Sequence, residues 1–326
     1  MLKMTACLTA FAAAASIAGS ATAELSGSVE IAGSSTVYPI STFVAEQFSG
    51  AYPGVSVNIQ KIGSGGGFKE FIAGNTDASN ASRLIKASEI QAARANGIDM
   101  IETLVAYDGL SIVINKENDW AGEMTLDQLK KIFSADSDAK TWKDIDASFP
   151  DTPLKIYIPA ETSGTFSYFQ EEVVGKDGEV RGTSVGENDN LTVSGVADNK
   201  GAIGFLGYAY YVENQDTLGI VSIQNSDGEF VKPTPESIES GKYNPFSRPL
   251  FVYWKVDSLS KPEVAALAEF TIDVAPTAAE EVGYVRLPSW VYDAMMDRLS
   301  NRTTGSIYYD EDLNPKSGTL KELIGE

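Results

Sequence analysis

The chain has 326 residues, 43% of them hydrophobic, and a formal net charge of -20. That charge opposes binding to nucleic acid or anionic membranes, both of which want a basic surface. Histidine is absent, which removes Ser-His-Asp chemistry, His-based metal sites and the commonest general base, and the single cysteine is Cys7.

The N-terminus reads as a secretory signal peptide over residues 1–23: Lys3, an apolar stretch from Ala10 to Ala18, then Ala21-Thr22-Ala23 as a small-x-small cleavage site before Glu24. The stretch is short for a membrane span, and no later segment approaches one, so a soluble, exported mature chain is expected. Cys7 would leave with the signal. The mature chain then has no disulfide, thiolate metal site or cysteine nucleophile. Its length of about 300 residues suits two lobes or two domains.

The first informative stretch is "IAGSSTVYPISTF", residues 31–43. An apolar run stops at Gly33, Ser34, Ser35 and Thr36 follow, and Pro39 opens a segment with Ile40, Phe43, Val44 and Phe48 at helical spacing. One hydroxyl suffices to cap a helix. Three after a glycine, where free amides and the positive end of a helix dipole converge, point to an anion site.

The pattern repeats. Val55, Val57 and Ile59 alternate with polar residues as a strand, Gly63-Ser64-Gly65-Gly66-Gly67 forms a turn, and Phe68, Phe71 and Ile72 mark a helix face. The Gly-Lys-Ser/Thr ending of a nucleotide P-loop is missing, and the dinucleotide fingerprint does not fit. In "TDASNASRLI", Arg83 lies beside Ser79, Asn80 and Ser82, where a guanidinium can fork onto an oxyanion. "VAYDGLSIVIN" reads as a strand that crosses between lobes at Asp108-Gly109. "MTLDQLKKIF" is a helix capped by Thr125, and Trp142 and Trp254 are core residues.

A third junction follows in "LKIYIPAETSGTFSYFQEEVV": a strand through Leu154, Ile156 and Ile158, the turn Ser163-Gly164-Thr165, and a helix buried through Phe166, Phe169, Val173 and Val174. Three such junctions in one chain exceed what capping needs. Further on, Asn188 and Asp189 open a helix that ends before Gly201; Asp189 is read first as a cap and second as a cleft contact.

With these residues assembled, the chain resembles the substrate-binding proteins of phosphate ABC transporters, which are periplasmic binding proteins of type II topology. The resemblance is carried by "GSSTVYP", "GSGGGFKEFIAGNTDASNASR", "VAYDGLSIVIN", "TSGTFSYF" and "ENDNLTVSGVADNKGAIGFLGYAYY", which together cover most of residues 31–210. It implies a two-lobed α/β fold, each lobe a mostly parallel sheet flanked by helices, with the ligand cleft between lobes. The first lobe is expected over residues 24–108 and 213–326, the second over 109–212. The resemblance further implies that inorganic phosphate is held by Ser34, Ser35 and Thr36, by Ser64 and Gly65, by Asn80, Ser82 and Arg83, and by Ser163, Gly164 and Thr165. The protein would be a periplasmic monomer that hands phosphate to an inner-membrane ABC permease, with no catalysis, cofactor, metal or nucleic acid.

Three positions depart from the family pattern. Asn80 stands where relatives often carry Asp, Ser167 likewise, and Glu161 lies near the place where some relatives supply an arginine. The first two leave open which group accepts the proton of the bound anion; Asp108 and Asp189 are the expected substitutes. Rival readings are a receptor for sulfate, molybdate or tungstate, a surface adhesion or sensing protein on the same fold, and a phosphohydrolase or serine-type enzyme using Ser35 or Ser163. The lack of histidine and of an evident metal cluster argues against the last.

Overall fold

The computed structural model describes residues 25–161, 163–186 and 189–325, so the expected signal peptide lies outside the described residues. The chain opens with β1 (Gly27–Gly33), α1 (Tyr38–Ala51), β2 (Val55–Lys61), α2 (Gly63–Ile72), β3 (Ala78–Ala81) and α3 (Ala87–Ala95), then enters the long strand β4 (Met100–Asn115). After it come β5 (Glu123–Met124), α4 (Leu126–Phe133), α5 (Trp142–Ile145), β6 (Lys155–Ile158) and α6 (Gly164–Phe169), which continues as a π-helical turn through Val174. β7 (Thr183–Ser184), α7 (Asp189–Ala197), β8 (Ala202–Gly207), α8 (Tyr208–Asn214), β9 (Leu218–Ile220), β10 (Ser222–Gln224), β11 (Phe230–Val231) and α9 (Pro235–Glu239) follow. β12 (Ser247–Lys255), α10 (Pro262–Glu281), α11 (Ser289–Ser300) and α12 (Leu320–Ile324) complete the chain.

The main sheet has the order β2-β1-β3-β12-β4-β8-β6-β7, with β9 also on β4. β2, β1 and β3 are parallel, as are β8, β6 and β7. Between these groups β12 runs antiparallel to both β3 and β4, and β4 antiparallel to β8. β4 belongs to both halves: it pairs with β12 up to Gly109 opposite Ser247, and with β8 from Leu110 opposite Gly207. All of its residues are buried, as the near-continuous apolar run of a strand covered on both faces requires.

Beyond α8 the chain continues beside the second half of the sheet. Leu218–Ile220 pairs with the end of β4, β10 pairs with β5, and the next strand to pair in the first half is β12. Strands of two or three residues carry no periodicity that assigns them to one sheet or another.

Local chemistry explains the elements that frame the junctions. Pro39 sits in the first turn of α1, where its missing N–H has no intrahelical partner to lose, and Ile40, Val44 and Phe48 face the core. Thr125 caps α4 by accepting from the Gln128 amide, while Gln128 accepts from the Thr125 amide. Trp142 and Trp254 are buried, their indole N–H groups donating to the Gly201 carbonyl and to Thr103 Oγ1. Among the described residues no helix is long and apolar enough to cross a membrane.

Candidate functional site

At the first junction the three hydroxyls divide their tasks. Ser34 Oγ accepts from the amides of Thr36 and Val37 at 3.1 and 3.3 Å, which closes the turn that leads into α1. Thr36 Oγ1 accepts from Arg248 at 2.9 Å, and the Thr36 carbonyl accepts from Tyr284 Oη at 2.9 Å. Ser35 is half-buried, and its hydroxyl is engaged by no hydrogen bond among the described residues. Gly33, at φ 147°, cannot be replaced cheaply: a Cβ there would lie 2.1 Å from the Asn80 carbonyl oxygen, to which the Ser34 amide donates.

The second junction is tied to the first by glycine. Where the sequence reading has a turn, the structure has helix from Gly63 onward, and α2 packs directly on the end of β1. A Cβ on Gly67 would fall 2.5 Å from Gly33 Cα and 2.7 Å from the Ala32 carbonyl oxygen. Ser64 Oγ accepts from the Ser82 amide at 3.0 Å and lies 3.3 Å from Ser82 Oγ. Arg83 reaches the same helix start, a terminal nitrogen lying 3.8 Å from the place of a Gly65 Cβ.

The third junction belongs to the second half of the sheet and abuts the first. Ser163 Oγ accepts from the Thr165 amide at 3.2 Å, and Thr165 is buried. A Cβ on Gly164 would lie 3.0 Å from Thr36 Cα and 3.5 Å from the Ser35 carbonyl oxygen. The structure thus brings Ser34, Ser35 and Thr36 together with Ser163, Gly164 and Thr165, and joins Ser64, Gly65, Ser82 and Arg83 to them through the contact of Gly67 with Gly33.

Each of the two arginines at these turns has a carboxylate partner. Arg83 donates twice to Glu89, at 2.9 and 2.8 Å, and once to the Leu84 carbonyl, which leaves two of its five N–H groups unengaged among the described residues. Its guanidinium also lies 4.9 Å over the Phe68 ring. The bonds to Glu89 raise the arginine above its ordinary pKa; burial pushes the Glu89 carboxyl up, but Arg83 and the Lys86 amide outweigh it and hold Glu89 below the usual range. Asp108, 1% exposed, accepts from Arg248 Nε and a terminal nitrogen, both at 3.2 Å. Burial pushes its carboxyl up, with Arg248 working the other way. Glu172, in the π-helical turn, is likewise raised by burial, opposed by Arg248 and aided by Glu171.

Asn80 turns its side chain away from the three junctions. Asn80 is buried in the first half of the sheet, where its amide donates to Ser41 Oγ at 2.8 Å inside a small cavity lined by Ile31, Val44, Trp254 and Thr271. Strand alternation turns that side chain toward α1 and α10, while its neighbour Ser79 faces α2 at Gly67. What Asn80 gives the first junction is its backbone carbonyl. Asp189 is the first residue of α7, and its side chain lies outside the described residues.

Arg248 is the residue that sequence reasoning missed. It lies 212 positions from Thr36 and 140 from Asp108, near the head of β12, ahead of its apolar run. A lone arginine before the buried run Leu250–Trp254 is the only local signal of it.

Two α/β halves that share one strand, with hydroxyl-bearing turns from each meeting at Thr36 and Gly164, define a two-lobed binding protein whose site lies between the lobes. The chain belongs to the PBP superfamily, whose domain description matches residues 18–274. It is 38% identical over 294 residues to Protein SphX of Synechococcus elongatus, an alignment covering 90% of this chain and 86% of the relative. It is also 38% identical over 270 residues to the phosphate-binding protein PstS of Staphylococcus haemolyticus, covering 82% and 84% respectively. Among solved structures, a possible phosphate binding protein from Planctomyces limnophilus matches with a TM-score of 0.81 at 43% identity, covering 85% of this chain and 99% of that one.

Proposed function

We propose that the protein is an extracytoplasmic receptor that captures inorganic phosphate between its lobes and delivers it to a membrane-embedded ABC permease, without chemical turnover. The observation that carries this reading is the contact of Gly164 with Thr36, which sets the hydroxyl turn of one lobe against that of the other. Relatives named for phosphate binding, at 38% identity over most of the chain, supply the ligand. In this reading Ser35, Thr36, Ser64, Gly65 and Thr165 supply hydroxyl and amide hydrogens, and Arg83 turns its two remaining N–H groups to the anion. The net charge of -20 makes such local donors necessary, since the global field repels the ligand. Asp108 is engaged by Arg248, so its part in the site is to hold that arginine. We further place the lobes at residues 25–108 with 247–325 and at 109–246, hinged at the Gly109–Ser247 end of the β4–β12 pair.

Calorimetric titration with phosphate, sulfate and molybdate tests the reading. Phosphate should bind most tightly, and Arg83→Ala should lose about 2 to 5 kcal/mol of binding, tens to thousands of fold. Undiminished phosphate binding by Arg83→Ala would remove the arginine from the site, and preference for another oxyanion would reassign the ligand.

A further inference from the structure

We propose that Arg248 is a positioning residue for anion capture, one that fixes the Thr36 hydroxyl as a donor and ties its turn to the second lobe through Tyr168. The inference rests on the phosphate-binding reading above. Arg248 stands opposite Asp108 where β12 and β4 run side by side. One terminal nitrogen donates both to Asp108 Oδ2 and to Thr36 Oγ1, and Nε donates to Asp108 as well. The guanidinium carbon lies 3.5 Å from the centroid of the Tyr168 ring, and Tyr168 Oη donates to the Pro245 carbonyl, next to the same strand.

The direction of the Thr36 bond is fixed by chemistry. A guanidinium has five hydrogens and no acceptor, whereas a hydroxyl has one hydrogen and two lone pairs. Arg248 therefore fills a lone pair of Thr36, and the hydroxyl hydrogen must point elsewhere. Among the described residues it finds no acceptor, although Thr36 is only 3% exposed. A buried donor left without a partner is costly, and an oxyanion seated beside this turn supplies the missing acceptor.

Arginine is required for a second reason. A lysine could neutralise Asp108 as a point charge, but it lacks the planar fork that reaches Asp108 and Thr36 while its carbon sits over an aromatic ring. Tyr168 belongs to α6, the helix that Gly164 and Thr165 begin, so opening the lobes draws the ring away from the guanidinium. Arg248 thus joins a first-lobe hydroxyl, a buried carboxylate at the shared strands and a second-lobe helix. Glu172 also acts on it from that lobe.

The test is titration of the full chain with inorganic phosphate, with circular dichroism melts to establish folding. Thr36→Val should weaken binding about tenfold, and Thr36→Ser should recover most of that loss. Arg248→Lys should also weaken binding about tenfold, yet add at most about threefold in the Thr36→Val background, because the group it orients is gone. Should the lysine variant fail to fold, the neutral pair Asp108→Asn with Arg248→Gln replaces it; its amide accepts as well as donates, so Thr36 is no longer fixed and the same loss is expected. Wild-type protein that ignores phosphate overturns the phosphate reading and this inference with it. Wild-type binding matched by the arginine variants, or full additivity with Thr36→Val, overturns the role of Arg248 alone.

Discussion

Ser34, Ser35 and Thr36 are adjacent and chemically alike, yet the fold separates them: one closes the turn before α1, one is oriented by an arginine, and one stays unengaged among the described residues. The separation yields opposite signatures in single mutants. Ser34→Ala removes the acceptor for two amides and should cost about 1 kcal/mol of stability, as cap deletions do. Ser35→Ala should leave the denaturant midpoint in place and weaken phosphate binding a few-fold, the scale of about 0.5 to 1.5 kcal/mol for one neutral hydrogen bond. Denaturant melts and titrations on both variants check this, and a stability loss in Ser35→Ala would mean that its hydroxyl serves the fold. Residue types flagged the junction because Gly, Ser and Thr at a strand-to-helix boundary act within a few positions. Arg248 acts across 212 positions, and Asn80 is turned by strand alternation toward whichever helices cover that face, so neither role was legible from local pattern.

Helices α1, α2 and α6 all begin at hydroxyl or glycine turns, and their buried faces follow the apolar spacing of the sequence: Ile40, Val44 and Phe48; Phe68 and Phe71; Phe166 and Phe169. What the spacing did not tell is why α2 begins with four glycines. Their roles differ, and the contacts a Cβ would make separate them. At Gly67 it would strike the backbone of Gly33 and Ala32, which cannot rotate away, so Gly67→Ala must lift α2 off β1. That should cost about 1 to 3 kcal/mol, the range for overpacking, and weaken phosphate binding by moving Ser64 and Gly65 with the helix. At Gly66 the nearest atoms are Cγ1, Cβ and Cδ1 of the exposed Ile62 side chain, at 3.1 to 3.3 Å, which must give by a few tenths of an ångström; helix propensity offsets that shift, so Gly66→Ala should change stability by at most about 1 kcal/mol, less than Gly67→Ala. Thermal melts of the two variants decide the matter. Equal destabilisation would mean that the glycines serve flexibility at the start of α2 rather than close packing.

Across the whole molecule, the two-lobed α/β plan was legible because repeated strand-turn-helix units and one long apolar strand recur in order. The pairing of β9, β10 and β11 was not, since they are too short to announce their sheet. The long strand also carries a charge that no pattern predicted, because Glu102 is fully buried within β4. It fastens the C-terminal region to the sheet, accepting from Ser306 Oγ and the Ile307 amide at 2.8 Å each. Burial pushes its carboxyl above the usual glutamate range, while these donors, Tyr253 and Arg298 work against that. A raised folded-state pKa means that the native protein holds this proton more tightly than the unfolded chain. The contribution is therefore complete below the ordinary glutamate pKa of 4.5 and is lost as pH rises through the higher folded-state value. Glu89 and Asp77, both held below their ordinary values, run the other way and weaken the fold as pH falls, so wild-type stability alone cannot isolate Glu102. Glu102→Gln can. Its amide oxygen accepts from Ile307, its nitrogen donates to Ser306 Oγ, and it never ionises. The variant should match wild type in acid and exceed it by about 1 to 3 kcal/mol at mildly alkaline pH, the scale of an imperfectly compensated buried charge. Denaturant melts from acid to alkaline pH read this difference directly, and parallel curves throughout would mean that Glu102 keeps one protonation state over the whole range.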